Sequence, residues 1–279
     1  MPLTKTQVAM IEATGTPNNT TFLRGDGAWG VPAGTSSGGF TAMQVFKYFS
    51  GTAAISGTTL TVSAAPVGGL SVGSIISGTG VSAGTTITAF GTGSGGVGTY
   101  TVSISQTVAS RAMTSSSATF TVPAGKTAAK VTLISGGQGG QGGNGAFGGC
   151  APAYYGGGGG ASGGAAIKFI SGLTPLSTVS VTLGAGGAGG GCGSAIGATG
   201  GTSSFGAYVS ATSGTGVSGD INFAAISGTG GDGGDSRYVA SYSGIGGCSI
   251  LANYGRGGDG GSYGVNGTNG NIGVVIIEY

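Results

Sequence analysis

The chain has 279 residues, of which 69 are glycine and 7 proline, and its formal net charge is +2. Glycine does not recur at every third position throughout, which excludes collagen, and 38% hydrophobic against 6% charged residues is not the composition of a disordered chain. The nine Lys and Arg are scattered, leaving no electrostatic footprint for nucleic acid or an anionic membrane, and the absence of histidine excludes Ser-His-Asp and Cys-His catalysis.

The first region, 1–40, is polar and rich in turns. It begins MPLTKTQVAMIEATG, which lacks the apolar core of a signal peptide, so synthesis in a cytoplasm without secretion is expected. Turn signals fall at Pro17-Asn18 and Asp26-Gly27. Phe22, Leu23, Trp29 and Val31 are too few for a core and read as attachments to another surface or to sister chains. Arg24-Gly25-Asp26 spells a cell-adhesion tripeptide, but its bland reading is a tight turn.

The second region, 41–114, alternates or clusters β-formers between Gly/Ser turns: VFKYF, TTLTVS, SIISG, TTITAF and TYTVSIS. A small all-β module is expected there, with no catalytic character. No run of about 18 apolar residues predicts a membrane-spanning segment.

The third region, 115–279, interleaves good strands (ATFTVPAG, AKVTLIS, AAIKFIS, STVSVTLG, SSFGAYVSA, INFAAIS, GVVIIEY) with glycine arms. Gly136 to Asn144 is a run of Gly-Gly-X triplets. Thr229, Asp232 and Asp235 are also spaced by three, as are Arg256, Asp259 and Ser262, and Ala185 with Ala188. Three residues is the period of the polyproline II helix, which has no internal hydrogen bonds. Bare glycine edges would let neighbouring helices bond to one another and satisfy the backbone. A flexible linker is the alternative, but linkers do not keep triplet phase between strands. The expected fold class is therefore all-β: a small β-module, then a strand base carrying packed polyglycine II-like arms, with little or no long helix.

Few residues here could carry chemistry. Cys150, Cys192 and Cys248 lack metal-ligand spacing and are odd in number. Gly230–Tyr238 partly fits a calcium-binding nonapeptide, but Arg237 stands at its apolar position, and Gly257–Val265 has Ser262 in place of an acid. Asp232 and Asp235 would lie roughly 9 Å apart on one edge of a three-fold helix, a spacing open to an inverting glycosidase. That edge should be solvated, with nothing to raise either pKa. No catalytic residue, metal or cofactor is therefore expected. What remains is tyrosine in the breaks between arms: Tyr154 and Tyr155, Tyr238 and Tyr242, Tyr254, and Tyr263. Tyrosine among Asn and small residues makes adaptable contact surfaces; local packing that caps the bundle is the equal alternative.

If each arm runs the length of the bundle, the chain reverses at each break. Tyr154, Tyr155, Tyr238, Tyr242 and Tyr263 would then gather at the end far from the strands. The short run 244–247 spans only about 12 Å at 3.1 Å per residue, which leaves Tyr254 on a flank or at the near end.

Three stretches resemble tailed-bacteriophage proteins. TGTPNNTTFLRGDGAWGVPAG resembles linking segments of tail fibres. SGTTLTVS, with SGTGVSAGTTITAFGTGSGGVGTYTVSISQTVAS, resembles a small β-module of phage tail proteins. The series FTVPAGK, KVTLISGGQGGQGG, GGAAIKFISGL, VSVTLGAGGAGG and GVVIIEY resembles the glycine-rich C-terminal domain of such fibres, and is similar to the tip adhesins of some large myophages. The resemblance implies stacked polyglycine II helices ending in variable receptor-binding loops, a homotrimer and a place in the virion. It implies contact with a bacterial surface receptor through the loop tyrosines and with other tail proteins through 1–40, and it carries no catalytic residue. The rivals are a purely structural fibre or baseplate component and, further off, an enzyme acting on surface polysaccharide.

Overall fold

The computed structural model of the chain describes residues 22–23, 29–30, 40–146, 153–155, 157–192, 195–213, 254–261 and 265–279. The chain divides into two compact units, Met1–Thr41 and Ala42–Tyr279. In the first, β1 (Phe22–Leu23) pairs antiparallel with β2 (Trp29–Gly30), Leu23 opposite Trp29.

The second unit is all-β, and no helix occurs among its described residues. Its strands are β3 (Met43–Lys47), β4 (Phe49–Gly68), β5 (Ser74–Ser77), β6 (Ile87–Phe90), β7 (Gly98–Thr121), β8 (Ala128–Ile134), β9 (Asn144–Ala146), β10 (Ala153–Tyr155), β11 (Ala165–Ser171), β12 (Thr178–Thr182), β13 (Ser203–Phe205), β14 (Val209–Ala211) and β15 (Val274–Glu278). All pairings are antiparallel. One sheet runs β14-β13-β12-β7-β4, with β5 and β6 also on β7; a second runs β11-β8-β15-β3.

Period-two patterning explains the strands. In β12, TVSVT buries Val179 and Val181 and exposes Thr178, Ser180 and Thr182. Alternating side chains on one face must meet another layer, and here two cores form. Phe49, Ile55, Leu60, Ile76, Tyr100 and Met113 close one between the long strands β4 and β7 and their partners. Phe46, Phe120, Val131, Leu133, Phe205 and Val275 close the other between the two sheets. β7 contributes to both, with Tyr100 to Met113 in the first and Ala118 to Phe120 in the second. Each fully buried large side chain is worth about 1.5–3 kcal/mol of transfer free energy.

Among the described residues six extended arms rise from this strand base: arm 1 (135–143), arm 2 (157–164), arm 3 (184–191), arm 4 (195–202), arm 5 (254–261) and arm 6 (265–273). Arm 1 leaves β8 and runs into β9, while arm 2 returns from β10 to β11. Arm 3 leaves the end of β12, arm 4 returns to β13, and arm 6 returns to β15. Arm 5 runs outward with arm 1: Gly258 donates to Gln138 and Gly261 to Gln141.

Arm 1 is the hub. Its nine consecutive N–H groups cycle through three neighbours with a period of three. Ser135, Gln138 and Gln141 donate to Gly164, Ala161 and Gly158 of arm 2. Gly136, Gly139 and Gly142 donate to Gly201, Ala198 and Ala195 of arm 4, and Gly137, Gly140 and Gly143 to Asn271, Thr268 and Val265 of arm 6. Its carbonyls accept from Gly187 and Gly190 of arm 3 and from Gly258 and Gly261 of arm 5. The surrounding arms bond to one another in the order 2-5-6-3-4. Between arms 4 and 2, the Gln138 side chain bridges by donating to the Gly197 carbonyl at 3.3 Å and accepting from the Ala161 N–H at 3.3 Å. Gln138 is 5% exposed, so the X position of this triplet is an interior bridge and not a solvated edge.

Glycine serves the arms through its missing side chain. Among the described arm glycines only Gly255 has a positive φ. A Cβ at Gly139 would collide with the Ala188 carbonyl, and one at Gly140 with that of Asp259. Each net hydrogen bond contributes about 1 kcal/mol, against about 1–2 kcal/mol to order each residue's backbone. The arms therefore depend on ends that are already fixed. Ser203, fully buried at the foot of the bundle, supplies one such tie: its hydroxyl donates to the Ile134 carbonyl at 2.8 Å and accepts from the Gly184 N–H at 3.1 Å.

Candidate functional site

The reversal of the arms gives the bundle a near end at the strands and a far end. β9 continues arm 1 beyond Gly143 and pairs with β10, Tyr155 opposite Asn144 and Tyr154 opposite Gly145. Tyr154 and Tyr155 therefore lie in a hairpin at the far end. Tyr238, Tyr242 and Tyr263 lie outside the described residues, as do Asp232 and Asp235. Gly261 and Val265, the described residues that flank 262–264, both sit at the far end: Gly261 donates to Gln141, and Val265 accepts from Gly143.

Two far-end side chains escape a search for tyrosine. Ile196, near the start of arm 4, is 60% exposed, and Val265, at the start of arm 6, is 51% exposed. Beside them the Asn266 side-chain oxygen accepts the Cys192 N–H at 2.8 Å, tying arm 6 to the tip of arm 3. The far end thus presents apolar side chains among amides and bare backbone. Their signal in the sequence is positional: each follows directly on a break between arms.

Tyr254 is elsewhere. It opens arm 5 at the near end, where Gly255 donates to Ile272 and the Lys47 ammonium of β3 stands 5.8 Å from the Tyr254 ring centroid. Together with Val67, Gly68 and the near end of arm 6 (Asn269, Gly270, Asn271, Ile272), these residues line a cleft of about 420 Å³. The structure thus separates Tyr254 from Tyr154 and Tyr155 by the length of the bundle. Lys47 was no sequence candidate, because only the pairing of β3 with β15 brings it to the foot of arm 6.

Among the described residues no cluster of three or more His, Cys, Asp or Glu could hold a metal ion, and no helix is long and apolar enough to cross a membrane. Compared with models of known protein families and with curated proteins, the chain matches none.

Proposed function

We propose that this chain is a virion tail-fibre or tail-tip adhesin that binds a bacterial surface receptor through the far end of its glycine bundle. One observation carries the reading. A hydrogen-bonded bundle, rooted in a strand base, holds Tyr154, Tyr155, Ile196 and Val265 at the end away from that base. Aromatic and apolar side chains on a pre-ordered support bind without a large ordering cost. The resemblance of the lead, the β-module and the glycine region to phage tail proteins supports the same reading, with 1–40 joining other tail proteins. The test is competition: excess purified chain should slow adsorption of the phage, and a Tyr154→Ala/Tyr155→Ala variant should compete less well. Unchanged adsorption at saturating folded protein would overturn the proposal.

A purely structural tail component is the second reading, and one surface favours it. On the outward side of the four-stranded sheet Phe169 is 72%, Ile167 60% and Met43 62% exposed. Phe169 and Ile167 lie on β11, and Met43 on β3 stands across the Lys130–Glu278 ion pair from Phe169; under this reading sister chains of a homotrimer cover this mixed face. Under this reading Phe169→Glu lowers the oligomeric state in sedimentation, and cells are not bound.

A further inference from the structure

The cleft at the foot of the arms is built from side chains of three kinds. We infer that it takes an acidic saccharide, in a site separate from the far end. The inference rests on the adhesin reading for its biological setting, and its chemistry comes from the cleft itself.

Lys47 supplies a cation. Among the described residues its ammonium makes no ion pair, and it lies against the half-buried ring of Tyr254. A weakly held ammonium beside an aromatic ring favours an anion in the same cleft. Asn269 and Asn271 supply amides. The Asn269 oxygen already accepts the Gly189 N–H at 2.9 Å, which turns its amino group into a fixed donor. The Asn271 backbone is held on both sides, donating to Arg256 and accepting from Gly137, so its side chain stands on a rigid support. Amides with both a donor and an acceptor match paired sugar hydroxyls. Val67 and Ile272 supply an apolar wall for the C–H face of a pyranose ring. The floor is fixed too: Gly68 has φ 71°, and a Cβ there would strike the Tyr48 carbonyl.

The volume of about 420 Å³ falls within the range of small-ligand sites, roughly 300–1,000 Å³. A single cation suits a carboxylate better than a phosphate dianion, which calls for clustered cations or a helix N-terminus. A uronic or sialic acid unit meets all three kinds of group: its carboxylate on Lys47, its hydroxyls on the amides and its C–H face on Val67 and Ile272.

The test is calorimetric titration of the full chain with a galacturonic acid trisaccharide and with the neutral galactose trisaccharide. The acidic sugar should bind at least about tenfold more tightly, the scale of one charge-assisted contact. Lys47→Gln should remove about that tenfold, and Lys47→Arg should restore most of it. Equal binding of the two sugars, no binding of the acidic one, or an unchanged affinity in Lys47→Gln would each overturn the inference. A thermal melt of Lys47→Gln that matches the parent chain shows that the lost affinity is not lost folding. The inference and the adhesin reading fail separately. Absent saccharide binding with intact competition for phage adsorption sinks only the inference, whereas saccharide binding without competition sinks only the reading of the far end.

Discussion

The strand base and the glycine arms solve the same problem with opposite materials. In the base, side chains fill the space between backbones: Phe120 packs against Phe205 and Tyr279, with ring centroids 5.7 and 5.5 Å away. In the arms, backbones fill the space, and the carbonyls of Ala188 and Asp259 occupy the places where side chains of Gly139 and Gly140 would stand. The base is held chiefly by apolar burial, which is non-directional and tolerates some repacking. The arms are held by hydrogen bonds that need both groups at a fixed distance and angle. Removing a side chain should therefore damage the base, while adding one should damage the arms.

The largest effect expected is in the base. Phe205→Ala empties a fully buried site between the two sheets and should cost about 3–5 kcal/mol in urea denaturation. In the arms the sign of the change reverses. Gly140→Val adds a branched side chain against the Asp259 carbonyl, and overpacking of about 1–3 kcal/mol adds to lost bonds of about 1 kcal/mol each. Gly125→Val, at a turn where a Cβ meets nothing within 4 Å but φ is 75°, separates backbone strain from crowding. It should leave the amide protection of the arms intact, whereas Gly140→Val should lower it.

A smaller effect probes the bridge between arms. Gln138→Ala strips the partner from the Gly197 carbonyl in a buried setting and should cost about 1–3 kcal/mol by equilibrium denaturation. Smallest is Asp259→Asn, which breaks the 2.7 Å ion pair with Arg256 on arm 5. Both side chains are more than a third exposed, so a change of at most about 1 kcal/mol is expected, shrinking further in high salt.

The same comparison explains what the sequence made legible. The strands showed through period two, as in TVSVT, and the hub arm through its consecutive Gly-Gly-X triplets. Arms 4 and 6 did not show, because A-I-G-A-T-G-G-T and V-N-G-T-N-G-N-I-G lack consecutive Gly-Gly-X triplets. Four of their glycines sit on the edge that meets the hub. A Cβ at Gly197 or Gly200 would strike the carbonyls of Gly139 or Gly136, and one at Gly267 or Gly270 those of Gly140 or Gly137. Elsewhere they carry side chains, Ile196, Val265 and Asn266 among them, and still bond through their backbones to arms 3 and 5. The role of Gln138 was not legible either: nothing in a Gly-Gly-Gln triplet announces that its side chain is a buried bridge between arms. Within the candidate sites, Tyr154 and Tyr155 were legible as residues between two arms. The pairing of Tyr254 with Lys47 was not, since it joins residues 207 positions apart through a sheet pairing that no local pattern announces.

Amide hydrogen exchange along 135–143, read residue by residue by NMR, tests the central claim that backbone bonding orders the arms. Each of the nine N–H groups has a carbonyl partner on arm 2, 4 or 6. The account therefore predicts slow exchange at all nine positions, glycine and glutamine alike, with protection lost together in Gly140→Val. Exchange at free-peptide rates through this segment, while Val131 and Leu133 of β8 stay protected, would contradict it.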